Sequence, residues 1–251
     1  MCAEGGVRTV SGMEHDRQVA VITGASRGLG RALARRLAAD GWALVVDARG
    51  KSELFTVARE LRHSYGTAVA AVAGDVADES HRAAVVVEAR RLGGIDLLVH
   101  NASVLGPSPQ PVLETYPLDV LEHLYAVNVF APLRLTQLAT PMLRPGARVI
   151  AITSDAGVEA YEGWGGYGSS KAALEHAFAV WGAERPDLRV YRVDPGDMNT
   201  QMHQEAFPGE DISDRPAPES VVPELMTIVT GDLPSGRYQA QQLAAAAVTT
   251  A

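Results

Sequence analysis

The sequence predicts a single α/β domain built on a doubly wound parallel sheet that is flanked by helices. Short runs rich in Val, Ile and Leu alternate with amphipathic stretches, and the loops between them are short. Continuous apolar runs are typical of parallel strands that are covered on both faces. A length of 251 residues suits one such domain. We expect this domain at residues 17–243, a flexible N-terminal leader at 1–16 and a short tail at 244–251.

Strand and helix candidates alternate through the domain. The strands are expected at 18–23, 43–47, 68–73, 95–100, 148–153 and 188–193. Leu29, Leu33 and Leu37 give the first helix an apolar face, and Gly41 suits its C-terminal cap. The later helices are expected at 52–64, 79–92, 117–142, 166–184 and 218–230. This order predicts right-handed crossovers within one sheet.

The composition excludes several classes of protein. Lys and Arg number 22 against 30 Asp and Glu, and this net charge of −8 disfavours nucleic acid or an anionic membrane as partner. Cys2 is the single cysteine, so an intramolecular disulfide and a cysteine-based zinc site are excluded. The histidines lack metal-ligand spacing, so no metal is expected. No apolar run reaches the roughly 18 residues that span a membrane, and we expect a cytoplasmic protein.

A glycine-rich turn follows the first strand and opens the first helix. Glycines at positions 24, 28 and 30 allow a tight turn and let the backbone approach a pyrophosphate. The free N–H groups and the dipole of a helix N-terminus favour such an anion. The strand before the turn and the helix after it predict a dinucleotide site rather than an ordinary loop. The expected contacts are Gly24, Ser26, Arg27, Gly28, Leu29 and Gly30.

The spacing Thr-Gly-x-x-x-Gly-x-Gly, over residues 23–30, resembles that of the short-chain dehydrogenase/reductase family. Later positions extend the resemblance over nearly the whole chain. It implies a Rossmann fold of about seven strands, the last near 235–238, and a small-molecule ketone or alcohol as substrate. It also implies a homodimer or homotetramer that pairs through the helices at 117–142 and 166–184. The family's common Gly-Gly ending is absent, so both oligomeric states stay open.

Cofactor choice depends on the end of the second strand. An acidic side chain there usually holds the ribose of NAD, and an arginine accommodates the 2′-phosphate of NADP. In the family register Asp47 lies one residue early and Arg49 takes the NADP-type place, with Arg27 as a second cation. We therefore favour NADP(H) and expect Asp47 to point away or to pair with an arginine. NAD(H) stays open as the choice if Asp47 faces the ribose and the arginines are solvated.

The resemblance implies further cofactor contacts. Asp75 and Val76 follow the third strand, where the family places an acidic side chain against the adenine amino group. Asn101 corresponds to the residue that fixes the central strand, although His100 and Ser103 replace the family's Asn and Gly beside it. The segment that meets the nicotinamide carboxamide corresponds to Pro195, Gly196 and Thr200.

Four residue types form a candidate catalytic tetrad. Tyr167 and Lys171 lie four residues apart on one helix face, and Ser154 lies 13 residues before Tyr167 at a strand end. By resemblance, Tyr167 is the proton donor, Lys171 holds the nicotinamide ribose, and Ser154 bonds the carbonyl oxygen. Since a phenol with a pKa near 10 is a weak acid, we expect Lys171 and the nicotinamide cation of the oxidised cofactor to lower the pKa of Tyr167. Asn128, through its main chain and side chain, is expected to hold a water that links Lys171 to solvent.

The substrate residues expected near the tetrad are Asp155, Tyr161, Trp164, Met198 and Met202, the last two in a lid over 197–215. Their acidic and aromatic mix suits a polar, hydroxylated or cationic substrate better than a fatty acyl chain. We expect an NADP(H)-dependent oxidoreductase, either a ketone reductase or the reverse alcohol dehydrogenase. An NAD-dependent alcohol or sugar dehydrogenase is one alternative. A non-catalytic dinucleotide-binding regulatory protein is another, against which the intact tetrad argues.

Overall fold

A computed structural model describes residues 17–243 and contains one sheet of seven parallel strands. The strands are Val19–Ile22 (β1), Ala43–Ala48 (β2), Val69–Ala73 (β3), Ile95–His100 (β4), Leu143–Ile152 (β5), Arg189–Asp194 (β6) and Gly236–Gln239 (β7). Their spatial order is β3-β2-β1-β4-β5-β6-β7. The predicted doubly wound sheet is confirmed. The leader and tail expected at 1–16 and 244–251 lie outside the described residues.

Helices cover both faces of the sheet. They are Gly28–Ala39 (α1), Lys51–Tyr65 (α2), Glu79–Arg91 (α3), Leu118–Tyr125 (α4), Ala131–Ala139 (α5), Gly165–Glu184 (α6), Gln201–Ala206 (α7) and Val222–Thr230 (α8). One buried cluster joins α1, α2 and α8 to the sheet, and a second joins α3, α5 and α6. Leu29, Leu33 and Leu37 are all buried, as the period of the first helix predicts. Within residues 17–243, no helix is long and apolar enough to cross a membrane.

Two predicted boundaries are wrong. The helix expected over 117–142 is interrupted, because Ala126–Phe130 forms a π-helical segment between α4 and α5. Asn128 lies in the middle of this segment, and its side chain bonds to neighbouring elements rather than to solvent. Strand β5 begins at Leu143, five residues earlier than expected. Its first residue pairs with Ile95 before a shift in register, although the sequence Pro145-Gly146 is typical of a turn.

Candidate active site

A cleft of about 1090 Å³ lies at the carboxyl edge of the sheet. It crosses the ends of β3, β2, β1, β4, β5 and β6, and it includes the point between β1 and β4 where the strand order reverses. Open α/β sheets bind their ligands at this position. Ligand pockets typically measure roughly 300–1,000 Å³, and this cleft is just above the upper end of that range. It therefore has room for a dinucleotide and a small substrate together. We call the part beside β1, β2 and β3 the cofactor end, and the part around Ser154 and Tyr167 the substrate end.

The glycine turn forms a close-fitting cradle at the cofactor end. A Cβ atom on Gly24 would lie 2.8 Å from Cα of Ala102, and its φ of +69° favours glycine. A Cβ on Gly30 would lie 2.6 Å from the carbonyl oxygen of Gly24. No side chain caps the N-terminus of α1, so its N–H groups are left for an anion. These features fit the pyrophosphate of a dinucleotide.

Five of the six predicted turn residues line the cleft, namely Gly24, Ser26, Arg27, Gly28 and Leu29. Gly30 is buried against Gly24 and the side-chain amide of Asn101. That amide nitrogen donates to the carbonyl oxygens of Thr23 and Gly24, at 2.8 and 3.1 Å. Asn101 therefore fixes the end of β4 to the turn, as the resemblance implies.

Asp47 is 2% exposed and bonds to the protein rather than projecting freely into the cleft. Its Oδ1 accepts a hydrogen bond from the Gly24 N–H at 2.8 Å, and its Oδ2 lies 3.0 Å from Nε2 of His81. Of the two arrangements expected for Asp47, pairing with an arginine is wrong, because the first turn of α3 places His81 against the carboxylate instead. Asp47 thus stabilises the glycine turn, and both of its carboxylate oxygens have protein partners.

The arginines at the cofactor end differ in their partners. Arg49 is exposed and lines the cleft, and within residues 17–243 its guanidinium makes no hydrogen bond or ion pair. Arg27 donates to Oε1 of Gln201 at the start of α7. Arg31 and Arg35 also line the cleft, and both bond to Glu60 at 3.1 and 2.7 Å. Arg49 is therefore the most available cation at this end.

The remaining predicted cofactor residues also line the cleft. Oδ1 of Asp75 accepts from the N–H of Ala77, which shapes the loop after β3. Thr200 caps α7, since its Oγ1 accepts from the His203 N–H at 3.2 Å. The other members of this group are Val76, Pro195 and Gly196.

Three members of the predicted tetrad meet at the substrate end. Tyr167 and Lys171 lie on α6 and are 8% and 2% exposed, and Nζ of Lys171 is 5.5 Å from the centre of the Tyr167 ring. Ser154, at the end of β5, lines the cleft with them. Nζ of Lys171 donates to the carbonyl oxygen of Ile152 at 2.9 Å. The helix thus places a phenol and an ammonium group beside a hydroxyl.

Burial shifts the pKa of both groups on α6. Burial raises the pKa of Tyr167, the carboxylates of Asp194 and Asp155 raise it further, and the hydroxyls of Ser103 and Ser154 oppose the shift. Burial lowers the pKa of Lys171 to about 8. The expected lowering of the Tyr167 pKa by Lys171 is therefore wrong, because burial is the largest cause of the shift and the Lys171 charge is not among its causes. The phenol stays protonated at neutral pH, as a proton donor requires.

The side chain of Asn128 does not face the solvent. Its Oδ1 accepts from the N–H of Val104 and from Oγ of Ser103, and its Nδ2 donates to the carbonyl oxygen of Val104 and to Oγ of Ser170. These four bonds use the full hydrogen-bonding capacity of an amide. The expectation that this side chain holds a water is wrong. Instead it fastens the loop after β4 to α6.

The predicted substrate residues occupy one wall of the substrate end. Asp155, Trp164, Met198 and Met202 line the cleft, and the hydroxyl of Tyr161 donates to Oδ2 of Asp155 at 3.1 Å. Trp164 and Met202 pack against a buried cluster of Leu105, Ala156 and Tyr167, together with Ala206 of the predicted lid. The sequence did not indicate Leu105 or Ala156. Met198 is partly buried and packs instead against the cluster that joins α1, α2 and α8 to the sheet.

Two polar residues of the site, His81 and Ser103, were not predicted from the sequence. His81 has no motif around it, and only the fold brings it to Asp47. Ser103 carried a signal, because it replaces the glycine of the family's Asn-Asn-Ala-Gly segment. Its hydroxyl bonds to Asn128 and reaches the environment of Tyr167.

Comparison with known proteins identifies the family. The family model described as short chain dehydrogenase matches residues 18–211, which include the glycine turn, Ser154, Tyr167 and Lys171. The chain belongs to the short-chain dehydrogenase/reductase family. Its members carry out oxidation or reduction with a nicotinamide cofactor, and the cleft described above has the cradle that such a cofactor needs.

Named relatives agree in activity class. The chain is 35% identical over 216 residues to the L-xylo-3-hexulose reductase of Hypocrea jecorina, covering 77% of this chain and 71% of that one. It is 37% identical over 193 residues to the 2-(R)-hydroxypropyl-CoM dehydrogenase of Xanthobacter autotrophicus, covering 74% and 77%. An alcohol dehydrogenase from Thermococcus sibiricus, solved with 5-hydroxy-NADP, superposes with a TM-score of 0.81 at 28% identity, over 89% and 96%. The protein is an oxidoreductase that acts on alcohol- or ketone-type substrates.

Proposed function

We propose that the protein is an NADP(H)-dependent carbonyl reductase that converts a ketone into a secondary alcohol. The observation that carries this proposal is the buried, protonated Tyr167 beside Ser154 and Lys171. Tyr167 donates a proton to the carbonyl oxygen, and Ser154 hydrogen-bonds that oxygen as its negative charge develops. When bound, the cofactor supplies the hydride.

The pKa of Tyr167 supports reduction as the favoured direction. Reduction requires the phenol in its protonated form, whereas oxidation of an alcohol requires the phenolate. Burial and the two nearby carboxylates raise the pKa of Tyr167. The protonated form therefore dominates over the physiological range. Lys171 holds the nicotinamide ribose and keeps a positive charge beside the phenol.

The preference for NADP(H) is supported by the contacts of Asp47 and Arg49. The carboxylate of Asp47 is bonded to Gly24 and His81, so it offers little to the hydroxyls of an NAD ribose. Arg49 lines the cleft and is exposed, so its guanidinium is available to a 2′-phosphate. Arg27 joins it by exchanging its bond to Gln201 for one to the phosphate. The solved neighbour with 5-hydroxy-NADP fits this assignment.

The other site residues receive roles in the same proposal. Asp75 faces the adenine, Thr200 meets the nicotinamide carboxamide, and residues 197–215 form the lid over the substrate. Asn128 acts by position, since its four bonds hold the loop after β4 against α6. A main-chain group of its π-helical segment is left to hold a water that connects Lys171 with solvent.

Initial-rate measurements test the proposed function. The protein is mixed with NADPH or NADH and a panel of ketones and aldehydes, and cofactor consumption is followed by absorbance. We expect consumption of NADPH with at least one ketone, at a rate well above that with NADH. Absence of turnover with every carbonyl compound and every matching alcohol would contradict a catalytic role, and faster turnover with NADH would contradict the cofactor assignment.

We also propose that the protein forms a homodimer or homotetramer through α4, α5 and α6. Leu118, Phe130 and Val180 support this proposal, because these large apolar side chains on or between those helices are 71%, 60% and 45% exposed. Sedimentation at micromolar concentration is expected to give a species of at least twice the chain mass. A species of 26.6 kDa alone would contradict it.

A further inference from the structure

The carboxylate of Asp155 is bonded to the serine of the tetrad. Its Oδ1 accepts from Oγ of Ser154 at 2.9 Å and from the N–H of Ala156 at 2.8 Å. Its Oδ2 accepts from the hydroxyl of Tyr161 at 3.1 Å. All three donors are neutral. Within residues 17–243, no Lys, Arg or His forms an ion pair with Asp155.

The other carboxylates at the substrate end have charged partners or lie farther along the lid. Asp194 is 3.3 Å from a guanidinium nitrogen of Arg237, and Asp197 is 3.7 Å from His203 and 3.9 Å from Arg215. Glu205, on α7, accepts from the side-chain amide of Gln201. Asp155 is thus the carboxylate in this wall that combines contact with the tetrad and a lack of a cationic partner.

Binding of a ketone changes the bonds of this carboxylate. Ser154 has a single hydroxyl proton, which it donates to Asp155 in the structure. When Ser154 donates that proton to the substrate's carbonyl oxygen, the carboxylate loses one of its hydrogen bonds. The carboxylate is then open to a new donor. Because hydrogen bonds to an ionised acceptor are stronger than neutral ones, a substrate that brings its own donor gains binding energy.

We propose that Asp155 determines specificity by selecting ketones with a hydrogen-bond donor on the carbon beside the carbonyl. This inference rests on the proposed function and names its substrate class. The donor is a hydroxyl or an ammonium group, and its place follows from the short Ser154–Asp155 contact. In such a ketone the carbonyl oxygen and the donor atom on the adjacent carbon lie about as far apart as Oγ of Ser154 and Oδ1 of Asp155. The oxygen can therefore accept from Ser154 while the donor bonds to Asp155.

Apolar side chains beside Tyr167 favour an apolar group on the other flank of the carbonyl. Trp164, Met202 and Leu105 pack around Tyr167, and the Trp164 and Tyr167 rings lie 5.9 Å apart. An aromatic or alkyl substituent would bury its surface against these side chains. The expected substrate is therefore an α-hydroxy or α-amino ketone with an apolar group on its other side.

Three ketones with the same phenyl group test the inference. They are propiophenone, α-hydroxyacetophenone and α-aminoacetophenone, which place CH₃, OH or NH₃⁺ on the carbon beside the carbonyl. In the wild type we expect kcat/KM for the hydroxy and amino ketones to exceed that for propiophenone by about ten- to a hundredfold. In Asp155→Ala this preference, taken as the ratio of kcat/KM values within the variant, should fall to within about threefold.

Asp155→Asn is the second variant, for use if Asp155→Ala folds poorly, because its side-chain oxygen still accepts from the Ala156 N–H. It also separates the effect of the hydroxyl donor from that of the ammonium donor. It removes the negative charge, so preference for the ammonium should fall more than preference for the hydroxyl. Glu159→Gln is the matched control, because it removes an exposed carboxylate of the same loop that does not line the cleft. It should leave the preferences unchanged.

The outcomes distinguish the inference from the proposed function. If the wild type reduces propiophenone with the same kcat/KM as the donor-bearing ketones, the inference is overturned and the reductase assignment is left intact. A preference that survives in both Asp155 variants has the same consequence. Failure of every carbonyl compound in the panel would overturn the proposed function, and the inference with it.

Discussion

The cofactor end and the substrate end use their acidic side chains in opposite ways. At the cofactor end Asp47 is 2% exposed, and its carboxylate binds the glycine turn and His81. At the substrate end Asp155 is exposed, and its carboxylate binds two hydroxyl groups that can turn toward a ligand. The carboxylate of Asp47 therefore stabilises the fold, and the carboxylate of Asp155 lies beside the serine of the tetrad.

The difference shows where this cleft can vary. A buried hydrogen bond is costly to break, because it leaves a polar group without water or partner. An exposed hydroxyl exchanges its partner at small cost, since water replaces what it loses. The cofactor end is thus fitted to one kind of ligand, whereas the substrate end has groups that can select among ketones.

The largest effect is expected from removing the proton donor, which should affect the substrate end alone. Tyr167→Phe should lower kcat by a hundredfold or more, because general-acid catalysis by the phenol is lost. The dissociation constant for NADPH should stay within about twofold of the wild type, since the cradle is untouched. Tyr65→Phe, at an exposed tyrosine of α2, serves as the control. Near-normal turnover of Tyr167→Phe would contradict the assignment.

Asn128 fastens the loop after β4 to α6, so its loss should affect stability as well as activity. Asn128→Ala removes four side-chain hydrogen bonds and leaves the buried hydroxyl of Ser170 with one partner fewer. We expect the free energy of unfolding to fall by about 2–4 kcal/mol in chemical denaturation. Asn199→Ala, at an exposed asparagine, should change it by less than about 0.5 kcal/mol. Equal effects would show that the Asn128 bonds contribute little.

The sequence predicted the layout of the site better than its electrostatics. The strand and helix periods place the glycine turn, Ser154 and Tyr167 at the same edge of the sheet. The partner of Asp47 is 34 residues away and carries no motif, so only the packing of α3 against β2 reveals it. The pKa of Tyr167 was predicted in the wrong direction, because burial depends on tertiary packing that spacing does not describe.

Arg49 tests the cofactor end without touching the chemistry. Arg49→Ala should weaken NADPH binding about ten- to a hundredfold and leave NADH binding unchanged, because the two cofactors differ only at the 2′-phosphate. Dissociation constants from nicotinamide fluorescence give both values. Arg59→Ala, at an exposed arginine of α2, is the control. A wild type that prefers NADH, with neither constant changed in Arg49→Ala, would mean that Asp47 governs the choice.

The smallest effect concerns the pH dependence at the substrate end. The pKa of Tyr167 is raised, so its phenol stays protonated and does not limit reduction up to pH 10. Burial lowers the pKa of Lys171 to about 8, so its positive charge is lost as the pH rises through that value. The kcat/KM for reduction should therefore fall above about pH 8, several-fold by pH 9. In Lys171→Arg the charge persists, and this break should disappear. The same break in both proteins would assign it to another group.

The central claim is that this cleft transfers a hydride from NADPH to a ketone carbon, with Tyr167 supplying the proton. The most direct test uses NADPH that carries deuterium at both C4 positions, with a ketone that the wild type reduces, and mass spectrometry of the product. We expect an alcohol with one deuterium on the carbinol carbon, formed at least a hundredfold more slowly by Tyr167→Phe. An unlabelled alcohol, or labelled alcohol formed equally fast by Tyr167→Phe, would contradict the claim.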